Sequence, residues 1–211
     1  ISSPMQYTVE NARFDNFRVS SDGGAIHINE AAARLRIAHS VFNNIAAMDG
    51  GQKGGSVYFI GTSHIIQSTK ANRCVCQEEG QAMYIKDAEN TDNYFNFTTF
   101  LYCSPPEQRG RKAGFQIGEG IQAINEFNVS YTTTSMRYGM CSIVKVDYFD
   151  VRYSNFFHVV PGTGDSLRVE YKTPLNNPTA EFRNCNFLNN TVTSGGYLLT
   201  YHYVGPRIYC C

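Results

Sequence analysis

Three carboxylates have the positions in this sequence that come closest to a catalytic arrangement. Asp147 and Asp150 lie three residues apart, and Glu119 precedes Asp147 by 28 residues. Glycoside hydrolysis needs two carboxyl groups that face each other about 5–10 Å apart. On a β-strand, Asp147 and Asp150 would point to opposite faces, and no basic side chain is placed beside Glu119 and Asp147. We therefore interpret all three as solvated carboxylates and expect the chain not to be an enzyme.

Two pairs among the seven cysteines lie 27 and 25 residues apart, which is about one period of the repeat described below. Residues one coil apart in a stacked fold are close enough for a disulfide, whose Cα atoms are usually about 4.4–6.8 Å apart. Disulfides imply an oxidising compartment, whereas a reduced chain would bury stacked cysteines as small core residues. One cysteine remains over, as a free thiol or an intermolecular bond. The predicted disulfides are Cys76–Cys103, with Cys74 as the alternative to Cys76, and Cys185–Cys210, with Cys211 as the alternative to Cys210.

No residue pattern indicates a metal, a cofactor or a nucleic acid. A zinc site needs four converging ligands, usually from two close pairs, and Cys74 and Cys76 form only one such pair. His27 lies between Ile26 and Ile28 and is expected to face outward, and we interpret the histidines as surface residues. The net charge is zero, which argues against nucleic-acid binding. No stretch of about 18 apolar residues is present, so we expect no membrane span.

The segment from Cys103 to Lys112 contains two consecutive prolines and a basic run, which mark an exposed loop. Three cations in it, Arg109, Arg111 and Lys112, are candidates for contact with an acidic partner or a sulfated glycan. The alternative is an exposed, protease-sensitive loop without a binding role.

A short repeated marker predicts the element that must position these residues. Gly23-Gly24-Ala25-Ile26 returns as Gly54-Gly55-Ser56-Val57, and five looser copies follow. The apolar residues that close the copies are separated by 31, 26, 32, 28, 24 and 30 residues. This period is typical of a solenoid, in which each unit buries its apolar face against the next. The copies close at Ile26, Val57, Met83, Phe115, Ile143, Leu167 and Tyr197.

The composition between the markers is that of strands and turns, because β-branched and aromatic residues alternate with Asn and Gly. Strands this close together leave no room for crossover helices. They predict an all-β, right-handed parallel β-helix of about seven coils, as one domain over residues 1–211. Only Asn29 to Leu35 favours a helical turn, capped by Asn29, at a coil corner. Since the chain starts at Ile1, we expect either a removed signal peptide or a fragment of a longer chain.

Asparagines recur in step with the marker and predict a second periodic feature. Coils stack about 4.8 Å apart, so equivalent side-chain amides can hydrogen-bond to each other as a ladder. The predicted ladder consists of Asn16, Asn44, Asn72, Asn96, Asn128, Asn155 and Asn189, with Asn125 as the alternative to Asn128. Three of these, Asn96, Asn128 and Asn189, also begin N-glycosylation sequons. A buried ladder amide cannot carry a glycan, so the two interpretations conflict, and we favour the ladder.

The paired Gly-Gly-Ala-Ile and Phe/Asn motifs resemble the repeats of chlamydial polymorphic outer-membrane proteins and of the related β-helix surface proteins of trichomonad parasites. Gly23–Ile26 and Gly54–Val57 carry the first motif. Phe187–Asn190 has the bacterial Phe-x-x-Asn spacing, and elsewhere the spacing is Phe-x-Asn. The resemblance covers most of the chain as a repeat. It implies a surface location and a role in adhesion, and it implies no catalytic residues.

These patterns predict an extracellular or cell-surface protein with a structural or adhesive role. A rigid rod would present loops to a protein or glycan partner, or assemble with copies of itself into a filament, because the end coils of a β-helix need a cover. The segment from Tyr197 to Tyr209 is apolar and has no polar cap, so we expect a continuing chain or a second subunit there. The alternative function is a carbohydrate-binding or polysaccharide-cleaving β-helix, with stacked carboxylates and exposed tyrosines in a groove.

Overall fold

The structure, a computed structural model, describes residues 5–104, 110–136, 139, 141–171, 181–193, 195–202 and 207–211. These residues form short β-strands and no helix. In chain order the strands are β1 (Gln6–Glu10), β2 (Arg13–Asp15), β3 (Arg18–Val19), β4 (Ile26–Asn29), β5 (Arg34–Ala38), β6 (Val41–Asn43), β7 (Ala46–Ala47), β8 (Val57–Ile60), β9 (Ser63–Gln67), β10 (Lys70–Asn72), β11 (Val75–Cys76), β12 (Met83–Lys86), β13 (Asp92–Asn96), β14 (Thr99–Leu101), β15 (Gln116–Gly118), β16 (Ile121–Asn125), β17 (Asn128–Ser130), β18 (Cys141–Val146), β19 (Tyr148–Arg152), β20 (Asn155–Phe157), β21 (Leu167–Tyr171), β22 (Glu181–Arg183), β23 (Asn186–Leu188), β24 (Leu199–His202) and β25 (Arg207–Tyr209).

The strands build four parallel sheets along one stacked coil. Sheet A is β1-β5-β9-β13-β16-β19-β22-β25, sheet B is β2-β6-β10-β14-β17-β20-β23, sheet C is β3-β7-β11 and sheet D is β4-β8-β12-β15-β18-β21-β24. Paired residues lie one coil apart, 26 residues for Val57 and Met83 and 32 for Leu167 and Leu199. The predicted all-β solenoid is confirmed, and eight strands in sheet A and seven in sheet D agree with about seven coils.

Two corners of the coil are each made by one residue with positive φ, and most of these residues are not glycine. The left-handed conformation costs an ordinary residue about 1–2 kcal/mol, and Asn tolerates it better than most. Except at Asn189 and Cys210, the corner amide donates to the next coil, as Asn16 does to the carbonyl of Asn43 at 3.0 Å. The residues are Asn11, His39, Ser68, Phe97, Glu126, Tyr153, Asn184 and Cys210 between sheets A and B, and Asn16, Asn44, Arg73, Tyr102, Tyr131, His158 and Asn189 between sheets B and C.

The asparagine side chains form four short stacks, and the single predicted ladder is wrong. The series mixes positions at the two corners, which the sequence spacing does not separate. Only two pairs of first-choice residues that are neighbours in the predicted ladder bond directly: Asn16 with Asn44, and Asn128 with Asn155. The alternative, Asn125, bonds with Asn96. The stacks, each amide donating to the one before, are Asn16–Asn44, Asp15–Asn43–Asn72, Asn96–Asn125 and Asn128–Asn155–Asn186.

The paired glycines of the marker are required by close approach of the coils. Gly54 has a φ of +67°, and a Cβ on Gly55 would lie 2.0 Å from the carbonyl oxygen of Gln81.

The strand register corrects two of the predicted marker positions. Cys141 and Leu199 align with Leu167, in the column that begins with Ile26 and Val57. The predicted residues, Ile143 and Tyr197, each lie two positions away from that column. The expected helical turn at Asn29–Leu35 is also wrong. The Ala33 amide donates to the Glu30 carbonyl at 2.9 Å and closes a tight turn instead.

The interior of the solenoid is a continuous apolar column. Its centre is a cluster of four phenylalanines whose ring centroids lie between 4.9 and 6.0 Å apart in tilted and edge-to-face contacts. Such contacts add to the large apolar area that each ring buries. The four are Phe95, Phe100, Phe115 and Phe127. Stacking of this core between sheets A, B and D fixes the outer faces on which binding residues can lie.

Candidate functional site

Glu119 and Asp147 lie at the same corner between sheets D and A on successive coils, whereas Asp150 lies within sheet A. Asp147 accepts a hydrogen bond from the amide of Asn90 at 2.8 Å, at the corner between sheets D and A. Glu119 pairs with Lys86 beside sheet D, with 3.2 Å between Oε1 and Nζ. Asp150 lies in sheet A and is only 8% exposed, so its interpretation as a solvated carboxylate is wrong. The structure therefore does not bring the three together.

Asp150 instead stacks on a carboxylate that the sequence reasoning did not single out. It aligns with Glu181 on the next strand, and Arg152 aligns with Arg183 in the same way. Each acid pairs with the arginine two residues later in its own strand, Asp150 Oδ2 with Arg152 Nη2 at 2.5 Å and Glu181 Oε2 with Arg183 Nε at 2.6 Å. Burial, and then these carboxylates, raise the pKa of the neighbouring Tyr148. Both acids are charge-balanced and almost fully buried, so neither is placed as a proton donor to a bound sugar.

The accessible candidate site is a groove on the outer face of sheet D. Side chains of the same column point outward from successive coils: His27 stacks on Tyr58 with 5.0 Å between ring centroids, and Tyr58 stacks on Tyr84 with 5.3 Å. Gln116 takes the next position after Tyr84 in the register. We call the cleft that follows the sheet D groove. It has a volume of about 160 Å³ and is lined by Tyr84, Lys86, Gln116, Gly118, Glu119 and Lys145, with Ile85 and Val144.

A glycine opens the floor of the groove. Gly118 stands in the column of Lys86 and Val144, where its neighbours carry side chains. A Cβ on Gly118 would lie 3.4 Å from the Val144 carbonyl oxygen, which is ordinary contact, and its φ is not positive. The backbone therefore does not require glycine here. What glycine provides is the empty space between Tyr84 and Lys145.

The wall of the groove is an irregular stretch of backbone. β18 contains a bulge, because Val144 and Lys145 together oppose one residue of β21 between Val169 and Tyr171. Lys145 has a φ of +56° and is exposed, and Glu119 has a φ of +63°. β-bulges frequently re-aim side chains next to functional sites, and left-handed conformations of bulky residues persist only where the surroundings impose them. The bulge and the two left-handed residues turn Lys145 and Glu119 towards the same cleft.

A buried polar network lies directly behind the groove. Gln122 Nε2 donates to Asp87 Oδ2 at 3.1 Å and to the Glu119 carbonyl at 2.6 Å. The Asp87 amide donates to the Gly118 carbonyl at 2.9 Å. His64 Nδ1 lies 2.9 Å from Asp87 Oδ1 on the other side of the carboxylate. The network thus fixes the backbone of the groove from inside the solenoid.

His64 and Asp87 have the contact of a catalytic dyad but are sealed from solvent, with no exposed side-chain surface. The interpretation of His64 as a surface histidine is therefore wrong, whereas His27 faces outward as expected. A signal was available in the sequence, because His64 and Ile66 share one face of the alternating strand β9, and both are buried.

Two cations of the predicted interaction loop form ion pairs with Glu78 and Glu79, outside the lining of the groove. Arg111 pairs with Glu78, with 2.5 Å between Nη1 and Oε1, and Lys112 pairs with Glu79 at 3.2 Å. Lys53 also pairs with Glu79, at 3.5 Å, and its Nζ lies 4.9 Å from the centre of the Tyr84 ring. The third candidate of this loop, Arg109, lies outside the described residues. Since Arg111 and Lys112 are already neutralised, they support the loops beside Tyr84.

All seven cysteines are free thiols in the structure, and both first-choice disulfide pairings are wrong. Register places Cys103 on Cys74, because Lys70 aligns with Thr99 and both cysteines follow four residues later. Cys185 lies against Cys211 by the same reasoning. The alternatives named from the sequence are thus the true neighbours. Burial raises the pKa of the Cys76, Cys103 and Cys141 thiols.

The sequon asparagines all face outward, which removes the expected conflict between ladder and glycan. Asn96 and Asn128 are half-buried, and Asn189 is exposed. Asn96 and Asn128 accept hydrogen bonds through Oδ1 from the following coil. Glycosylation at these three positions stays a prediction.

No known family model, no curated protein and no solved structure matches this chain significantly. Among the described residues, no helix is long and apolar enough to cross a membrane. The same part of the chain holds no group of three or more His, Cys, Asp or Glu side chains arranged for a metal ion. The sheet D groove is therefore the feature of this chain that bears on its function.

Proposed function

We propose that this β-solenoid is an adhesive binding protein without catalytic activity, which binds a section of an extended glycan in the sheet D groove. The observation that carries the proposal is the alignment of Tyr84, Gln116 and Gly118, which puts an aromatic ring, a side-chain amide and an open floor in one cleft. A sugar presents an apolar C–H face and a rim of hydroxyl groups. The ring of Tyr84 suits the former, and the amide of Gln116 suits the latter.

The shape of the groove supports a linear ligand. Its volume of about 160 Å³ is below the roughly 300 Å³ at which enclosed small-molecule pockets begin. The same column continues along the solenoid axis through Tyr58, which is buried between its neighbours, to the exposed His27. A polymer lying along this axis would meet Gln116 and Tyr84 on adjacent coils about 4.8 Å apart, and His27 two coils beyond Tyr84. Lys86, Glu119 and Lys145 supply additional donors and acceptors at the rim.

The groove has the composition of a binding site. Glu119 is the one carboxylate in its lining, and Lys86 neutralises it at 3.2 Å. Hydrolysis of a glycosidic bond by the usual route needs a second carboxyl group across the cleft. This supports binding over polysaccharide cleavage, which was the alternative from the sequence.

A glycan array followed by calorimetry on the strongest hit tests the proposal. Tyr84→Ala removes the stacking surface, and Gly118→Val fills the floor with a residue that strands favour. We expect each to weaken binding at least about tenfold, equivalent to about 1.4 kcal/mol. Tyr102→Ala is the matched control, because Tyr102 is 40% exposed and stacks on Tyr131 at 4.8 Å on a different corner.

Unchanged affinity in both groove variants, or an equal loss in the Tyr102 control, would refute the assignment of the site. Release of new reducing ends from the bound polysaccharide would refute the absence of catalysis. A surface location, kinship with the outer-membrane repeat proteins and assembly through the solenoid ends stay predictions that this proposal accommodates. Sedimentation at increasing protein concentration measures the last of these.

A further inference from the structure

In each of two cysteine pairs, the two residues hold the same position on successive coils. The two pairs differ in access to solvent. Cys74 and Cys103 are both fully buried at the corner between sheets B and C. Cys185 is buried at the corner between sheets A and B, but its neighbour Cys211 is exposed. The chain therefore contains the same stacked-thiol arrangement twice, once sealed and once open on one side.

The open pair is in direct contact. The Cys185 amide donates to Cys211 Sγ at 3.3 Å. Each thiol also donates to the carbonyl two residues before it, Cys185 to Arg183 at 3.4 Å and Cys211 to Tyr209 at 3.3 Å. Both sulfurs are thus held in matching orientations on adjacent parallel strands, whose spacing fits a disulfide.

We propose that Cys185 and Cys211 form a thiol–disulfide exchange site that reacts in the folded protein with low-molecular-weight disulfides such as glutathione disulfide. The exposed Cys211 thiol loses its proton, and the thiolate attacks one sulfur of glutathione disulfide; a mixed disulfide forms, the glutathione S–S bond breaks, and the leaving glutathione thiolate takes up a proton in place of the one that Cys211 released. The Cys185 thiolate then attacks Cys211 Sγ. The Cys185–Cys211 bond forms, the mixed disulfide breaks, and the second glutathione leaves with the proton of Cys185. The two thiols are oxidised by two electrons, and glutathione disulfide is reduced to two glutathione molecules.

The second step sets the pace of the reaction near neutral pH. Burial, the largest cause, raises the pKa of Cys185 to about 11. The thiolate is the attacking form, so ring closure becomes faster as pH rises towards that value.

The bond would fasten the last strand of sheet A. Within the described residues, β25 pairs only with β22. Cys211 also lines an apolar cavity of about 300 Å³ at this end, together with Leu167, Phe182, Phe187, Leu199 and Ile208. With both thiols free, β25 already pairs with β22, so oxidation would add a covalent bond that holds β25 over the cavity.

The test is oxidation of the folded full chain with glutathione disulfide, followed by alkylation and peptide mass mapping. We expect a Cys185–Cys211 cross-link, while Cys74 and Cys103 remain alkylatable after unfolding. Cys185→Ser should stop at a glutathione adduct on Cys211. This variant has a structural precedent, because Ser154 holds the same column position and donates to the Arg152 carbonyl at 2.8 Å. Cys210→Ser should leave the cross-link unchanged.

Hydrogen exchange provides the second readout. Amides of β25 should exchange about tenfold or more slowly after oxidation, and reduction should reverse the change. Persistent glutathione on Cys211 in the unmodified chain would overturn the proposal, and so would a cross-link to Cys210. Equal rates for the Cys74–Cys103 pair would show that exposure is not what activates the site.

Discussion

Phe127 is the exception in a column of small residues. Replacing it distinguishes the stability that comes from packing of its ring in the core from the stability that comes from the hydrogen bond of the small residues. The equivalent positions before and after it are Thr98 and Ser154, whose hydroxyl groups donate to the carbonyl two residues earlier at 3.2 and 2.8 Å. Phe127 cannot make this bond. Its ring instead lies 5.0 Å from that of Phe100 and 5.2 Å from that of Phe115.

Phe127→Ser exchanges the core contacts for the hydrogen bond of the neighbouring coils. Removal of a fully buried phenylalanine ring costs about 3–5 kcal/mol. A hydroxyl bonded to the Asn125 carbonyl returns about 0.5–1.5 kcal/mol. We therefore expect a net destabilisation of about 2–4 kcal/mol. Ser154→Ala keeps the phenylalanine ring but loses the hydrogen bond that its own hydroxyl donates and the one that its Oγ accepts from the Phe127 amide; it should cost about 1–2 kcal/mol and is the comparison variant.

Urea unfolding followed by tyrosine fluorescence measures both variants, because the chain contains no tryptophan. The change is read from the midpoint at an unchanged slope, which reports stability alone. A loss below about 1 kcal/mol for Phe127→Ser, or a loss equal to that of Ser154→Ala, would refute the reasoning. The corner hydrogen bond, and not the phenylalanine cluster, would then dominate this coil.

Three further predictions follow from single contacts. Gly55→Ala should destabilise the fold by more than 1 kcal/mol in the same urea assay, because its Cβ would lie 2.0 Å from the Gln81 carbonyl oxygen. Tyr171→Phe should stabilise it, since the buried Tyr171 hydroxyl has no partner among the described residues. Burial raises the pKa of Tyr171 in the folded state. The neutral hydroxyl therefore contributes stability that is fully present below about pH 10 and is lost as the pH rises further. Thermal unfolding between pH 9 and 12 should show a smaller loss of stability in the Tyr171→Phe variant than in the unmodified chain. Gln122→Leu should retain the fold but weaken glycan binding in calorimetry, because the Glu119 carbonyl loses its donor at 2.6 Å.

The fold was predictable because its main signal is local. Gly54 and Gly55 are needed wherever two coils approach closely, so the marker recurs once per coil and reports the period. Register was less predictable, since Cys141 and Ile143 are both apolar and lie two positions apart on one strand face. The spacing alone could not choose between them.

The errors in the disulfide and ladder predictions have the same origin. Sequence separations near the period fit several columns, and the corner position then selects one: Cys74, not Cys76, follows the same corner as Cys103. The asparagines at 72 and 128 likewise share a period with Asn16 but belong to other columns. The sheet D groove was not predicted, because it exists only when Tyr84, Gln116 and Lys145 of three coils are aligned.

The departures from the regular coil converge on one place. Most coils obey a simple rule of apolar columns inside and one left-handed residue at each of two corners. Around the sheet D groove the rule fails three times, with an open glycine at Gly118, a bulge at Lys145 and a buried polar network around Asp87. A buried polar network lowers stability unless its bonds are satisfied, and a bulge gives up regular pairing. Proteins keep such local conflicts mainly where function requires them, so their convergence supports the groove as the functional site independently of what it binds.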